Sequence, residues 1–285
     1  MKLASQRPLW WQWPTVLSLD APAVVVAWQW LLARVARATL GWPQVAVLAA
    51  SVWLAYAADR WIEGWRLLPV QVRTRRHAFY QRRRWPVAGV WLLVFAGDLA
   101  VAFGRLTRRE LQGGWLLLAA VAAYLFSHQL IHRHHAWRPP KEACVAALLA
   151  GGTALFLLAQ PAVAWTALGP VLALYALLCF ANCALISAWE REIDHTHGQT
   201  SLSLQYPRGA AFSRRLAPGL AVLSLALLAM ARGPARLAGI CGFASSLLLA
   251  ALDRNEPRLG PGRARVLADF ALMTPFLPCL VLGWR

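Results

Sequence analysis

Apolar residues along this chain fall in long blocks, not at the alternating or three-to-four spacing of half-buried elements. Nine blocks can be placed, at 21-33, 43-61, 86-103, 114-131, 143-160, 163-189, 217-232, 234-252 and 266-283. Several are shorter than the roughly 20 residues that a full membrane crossing needs, so their helices are expected to run on into the flanking polar residues. The pattern predicts an all-α polytopic membrane protein of about nine transmembrane helices, with residues 21-285 as a single transmembrane domain. Residues 1-20 have little of the apolar core of a signal peptide. Trp10, Trp11 and Trp13 mark them as an N-terminal interfacial segment.

Composition agrees with the pattern: 59% of the 285 residues are hydrophobic and only 14% are charged, too apolar a mixture for a soluble domain of this size. A net charge of +17 would otherwise suggest a nucleic-acid partner. Its distribution points elsewhere. The loops after the second, fourth, sixth and eighth blocks carry 19 Lys and Arg, and the other loops carry seven. That bias places the even loops and the N-terminus in the cytoplasm and sets nucleic acid aside as a partner. The expected location is a bacterial cytoplasmic (inner) membrane, with the lipid bilayer as the first partner.

The second loop is the most basic, and two readings stay open for it. It serves topology and contact with anionic lipid, or one of Arg66, Arg73 and Arg76 closes over an anionic substrate. His128, His132, His134 and His135 crowd the fourth loop, but seven histidines in the whole chain are too few and too scattered for the histidine boxes of membrane di-iron enzymes. They are read as an interfacial polar cluster. The five cysteines lie in apolar blocks without a CxxC pair and are read as small hydrophobes.

Chemistry concentrates where the second and sixth blocks end. Glu190-Arg191-Glu192-Ile193-Asp194 repeats the pattern acid, Arg, any residue, Ile, acid of Asp59-Arg60-Trp61-Ile62-Glu63. Acids four apart on a helix share a face. At about 6 Å and an effective dielectric near 20 they repel by roughly 3 kcal/mol. Two such pairs at the ends of apolar runs predict one cation-binding site built from two parts of the chain. After Asp194, Gly198 permits a sharp turn, and Thr200 or Ser201 can cap a following helix. Asp269 is an isolated acid in the ninth block, with Arg265 one turn earlier as its expected partner.

These residues resemble the motifs of the UbiA superfamily of intramembrane prenyltransferases, bundles of nine helices. The family pairs NDxxDxxxD at the end of its second helix with DxxxD at the end of its sixth. Residues 55-63 and 190-194 stand in those places, Gly198 with Thr200 or Ser201 matches the turn after the second motif, and Lys141 matches a basic residue between the fourth and fifth helices. The chain departs from the motif in having Ala55-Tyr56 for Asn-Asp and Glu at 63 and 190.

The resemblance implies a bundle whose central cavity opens to the cytoplasmic side, and transfer of a prenyl group from a polyprenyl diphosphate to an unidentified acceptor. It further implies that Asp59, Glu63, Glu190 and Asp194 act catalytically and hold Mg²⁺, with Lys141, Arg138, Arg191, Arg66 and Asn182 around the diphosphate. The altered first motif motivates an alternative, a non-catalytic UbiA-like lipid-binding or assembly subunit.

Overall fold

The structure is a computed structural model that describes residues 8–66, 68, 72, 74–127, 140–161, 163 and 165–282. Arg138, Arg73 and the histidines at 128-135 lie outside the described residues. After a single tight turn at Trp10–Gln12 come α1 (Trp13–Val16), α2 (Asp20–Ala36), α3 (Trp42–Arg66), α4 (Arg75–Arg82), α5 (Arg84–Arg105), α6 (Arg108–Phe126) and α7 (Lys141–Leu158). They are followed by α8 (Trp165–Trp189), α9 (Arg191–Thr196), α10 (Leu202–Gln205), α11 (Gly209–Met230), α12 (Pro234–Leu259), α13 (Pro261–Ala271) and α14 (Phe276–Leu282). Within the described residues, each of the nine apolar blocks falls on a long helix or, for the last, on the pair α13 and α14. Among the described residues, seven of these are long and apolar enough to cross a membrane. The bent pair α1–α2, with 79° between its arms, makes eight.

The helices overrun the apolar blocks, because residues outside the blocks still satisfy their backbone hydrogen bonds by staying helical. α3 continues to Arg66 and carries its acids as helical residues. α11 starts at Gly209, with Pro218 inside it. The ninth block is broken at Leu272–Pro275, where Pro275 has no amide hydrogen to continue the ladder. Other helices satisfy groups at the break: the Trp28 indole donates to the Leu272 carbonyl at 2.9 Å, and the Thr274 hydroxyl to the Cys241 carbonyl at 3.0 Å.

α8 forms the centre, and its Leu174, Tyr175, Leu178, Leu185 and neighbours are buried on nearly every side. Trp28 of α2 stacks on Tyr175 with ring centroids 4.8 Å apart. α11 and α12 pack closely beside α8 through small residues. A Cβ on Gly239 would stand 2.9 Å from the Leu228 backbone, and one on Gly242 would stand 2.6 Å from Leu174. This small-residue seam is how membrane helices approach when apolar burial gives no drive. α5 is at the other extreme: it buries no residue and presents Leu92, Leu93 and Phe103 outward, as a lipid-facing helix does.

Candidate functional site

Between these helices lies a cavity of about 290 Å³. Its walls are helical stripes. From α3 come Leu48, Val52, Ala55 with Tyr56, Asp59 and Glu63, and from α8 come Cys179, Asn182 with Cys183 and Ile186, with Glu190 just past its end. Three-to-four spacing keeps each set on one face. With Asp194 of α9, all four acids expected of the cation site therefore line one space, joined by Lys141 of α7.

Glu190 caps the break between α8 and α9, and its carbonyl still accepts from the Asp194 amide at 2.8 Å. The two acids thus stay one turn apart although the helix does not run through unbroken. Arg76 approaches the Glu190 carboxylate with both guanidinium nitrogens, at 3.0 and 3.4 Å, and Arg265 adds a third bond at 2.6 Å. Arg265 therefore pairs chiefly with Glu190, and Asp269 accepts from the Asn182 amide at 2.9 Å. The expected Arg265–Asp269 pair gives way because α13 packs against α8 and sets Arg265 beside the Glu190 carboxylate. Burial alone would raise the Glu190 carboxyl, but Arg265 and Arg76 outweigh it and hold the group well below the usual range. Asp194 is pushed the other way, raised by burial against the pull of Lys141, with Glu190 adding to the rise.

The first acid pair has its own supports. The Glu63 carboxylate accepts from the Gln199 amide at 2.5 Å and from His77 Nε2 at 2.8 Å. Burial lowers His77 to about 4, against the pull of Glu63, so the ring is neutral at physiological pH. With Nε2 donating, its other nitrogen accepts from the Thr74 hydroxyl at 2.6 Å. Gln199 also accepts from Lys141 at 3.4 Å, and Lys141 stands 3.9 Å from Asp194. One side chain thereby ties the two acid motifs and the lysine together. The turn that delivers it depends on Gly198, whose φ of 62° closes α9 in the left-handed region. The short helix after that turn is capped by Glu142, which accepts from the Leu202 amide at 3.0 Å, whereas the expected hydroxyl cap is not used.

No family model matches this sequence, and no curated protein does. A solved structure does: the apo form of a UbiA homolog from Aeropyrum pernix K1 aligns with a TM-score of 0.60, over 92% of this chain and 98% of that one, at 16% identity. The chain has a UbiA-like fold.

Within this UbiA-like bundle the expected site residues separate into three groups. Asp59, Glu63, Glu190, Asp194 and Lys141 gather at the polar end of the cavity. Asn182 also lines it, but eight residues before Glu190, about 12 Å deeper along α8. Arg66, at the end of α3, and the exposed Arg191 are not part of the wall. The guanidinium groups that do line the cavity are those of Arg60, Arg76 and Arg265, so that, counting Lys141, four of the 19 loop cations face inward. Arg76 was one of three candidates from its loop. Nothing in the sequence marks His77 or Gln199 beyond their nearness to the acid motifs, because both act across the fold.

The donor set suits a hard cation. Asp20, Asp59, Glu63, Glu142, Glu190, Asp194 and Asp269 face the cavity against four cationic side chains. Among the described residues no three His, Cys, Asp or Glu side chains form a metal cage by themselves. Mg²⁺ needs only one or two carboxylates and completes its octahedron with substrate oxygens and water, so Asp59, Glu63 and Asp194 are the residues that would hold it.

Proposed function

We propose that this protein is a prenyltransferase that moves a prenyl group from a polyprenyl diphosphate to an acceptor within the membrane. The observation that carries the reading is the meeting of both acid pairs and Lys141 at one end of a cavity whose other wall is apolar. The diphosphate lies among Asp59, Glu63, Asp194 and Lys141. Its tail runs along Leu48, Val52, Leu117, Val121, Leu149 and Gly152 of α3, α6 and α7, where no charge opposes an alkyl chain. Mg²⁺, held by carboxylates of the two motifs, would neutralise the diphosphate and favour its departure.

The chain's own groups act around that event. Lys141, set between Asp194 and Gln199, meets charge as it develops on the leaving diphosphate. Arg76 is brought down to about 10 by burial and by neighbouring Arg265, yet stays cationic at neutral pH and reaches the cavity from the cap helix α4. Glu190, gripped by two arginines, fixes those positive charges beside the diphosphate. Neutral His77 and Gln199 orient Glu63. The basic loops at this end support a cavity that opens to the cytoplasm.

Mg²⁺-dependent release of diphosphate from prenyl diphosphates of several lengths, measured on purified protein with candidate acceptors, tests the reading. Release is expected to fall at least about 100-fold in Asp59→Asn and Asp194→Asn. Undiminished release in both variants overturns the assignment.

A further inference from the structure

The outer surface of the bundle carries a charged feature that the cavity does not use, at the corner where α3 ends and α5 begins. Between Glu63 and Asp98 the chain has seven arginines and no acid. Three of them, Arg82, Arg83 and Arg84, follow one another across the junction of α4 and α5, and all three are exposed. Among the described residues, neither Arg83 nor Arg84 takes part in an ion pair. Their charge is open to a partner from outside the chain.

Aromatic rings fix where that charge stands. Trp61 and Trp65 of α3 meet edge to face with centroids 5.6 Å apart, and Trp65 meets Trp85 of α5 in the same way at 5.9 Å. The Arg84 guanidinium lies 4.6 Å from the centre of the Trp65 ring, and the Trp61 indole donates to the Arg84 carbonyl at 3.0 Å. Trp65 and Trp85 remain exposed, as tryptophans at the level of lipid headgroups do. Beyond them α5 runs on without burying a residue and turns Val90, Leu92, Leu93 and Phe103 outward. Exposed arginines, indoles and an apolar helix thus succeed one another along one path, in the order of the phosphate, glycerol and acyl chains of a phospholipid. The far end of α5 is built differently. Arg105, Arg108 and Arg109 are exposed there, but among the described residues none of them lies over an aromatic ring.

We propose that this corner is a binding site for an anionic phospholipid, its phosphate held by Arg82, Arg83 and Arg84 and its acyl chains laid along α5. A guanidinium offers a phosphate two parallel hydrogen bonds as well as charge. A zwitterionic lipid also has a phosphate, but it brings an ammonium group that three arginines repel. A soluble phosphate has no chains to place on the apolar face of α5.

The test titrates delipidated protein in detergent with dioctanoyl phosphatidylglycerol, dioctanoyl phosphatidylcholine and glycerol phosphate, and counts bound molecules by native mass spectrometry. Each arginine near an anionic headgroup contributes roughly fivefold in affinity, so phosphatidylglycerol is expected to bind at least about tenfold more tightly than either other probe. The triple variant Arg82→Gln/Arg83→Gln/Arg84→Gln is expected to lose that preference. Arg254→Gln/Arg258→Gln/Arg263→Gln, which removes the same charge from exposed positions at the end of α12 and the start of α13, is expected to keep it. Equal binding of the two lipids, glycerol phosphate as tight as phosphatidylglycerol, a preference that survives in the first triple variant, or one lost equally in both overturns the proposal. Should the first triple variant not fold, Arg83→Gln alone is expected to weaken phosphatidylglycerol by about fivefold, and unchanged affinity overturns the proposal.

Discussion

Glu190 holds two guanidinium groups inside the protein, at 2.6 and 3.0 Å, with its own side chain almost wholly buried. Removing the charge leaves two buried cations without their counterion, a loss of about 3–5 kcal/mol. Glu190→Gln is therefore expected to lower the melting temperature in detergent markedly, before any effect on catalysis is considered. His77 supplies a second prediction. Its proton affinity falls on folding, from an ordinary value of 6.5 to about 4. Between those values the unfolded chain binds more protons than the native one, so stability falls as pH drops from about 6.5 towards 4 and changes no further below. The shift corresponds to about 3 kcal/mol. Melting curves of His77→Gln, which keeps a donor towards Glu63, should show most of that pH dependence removed.

At the scale of elements, the seam between α11 and α12 sets how closely the helices behind α8 can pack. Gly239 meets Leu228 backbone, which cannot swing aside as a side chain would. Gly239→Ala is expected to destabilise by about 1–3 kcal/mol, read by thermal unfolding in detergent. Gly89→Ala on α5, where an added Cβ meets nothing within 4 Å, should be neutral or slightly stabilising. The same scale explains why the ninth span is broken. An unbroken apolar block predicts one rod, but Pro275 stops the ladder and three side chains, Trp28, Ser245 and Thr274, make the break tolerable. Only the proline was visible along the chain.

Across the whole molecule, alternation of long helices brings the turns after α3, α8 and α12 to one end, the end where the acid motifs lie. His195 and Arg232 are exposed at opposite ends of α11 and its leading turns. In sealed inverted membrane vesicles of cells expressing the protein, His195→Cys should react with an impermeant thiol reagent added outside, and Arg232→Cys should not. The reverse pattern would invert the topology drawn from the basic loops.

The sequence by itself determined where the long helices lie and that the acids of each pair share a face, because apolar block length and four-residue spacing are local properties that the helix period converts directly into helices and faces. It expected about nine crossings, where seven helices, or eight with the bent pair, are long and apolar enough among the described residues. It also carried the likeness to UbiA bundles, through motif order at the ends of the second and sixth blocks. Only the tertiary structure decided which charges meet. That Arg265 turns to Glu190, that Gln199 joins Lys141 to Glu63, and that Asn182 donates to Asp269 all depend on contacts between residues 58 to 136 positions apart. Such pairings are set by how whole helices pack around α8, and no window of sequence contains both partners.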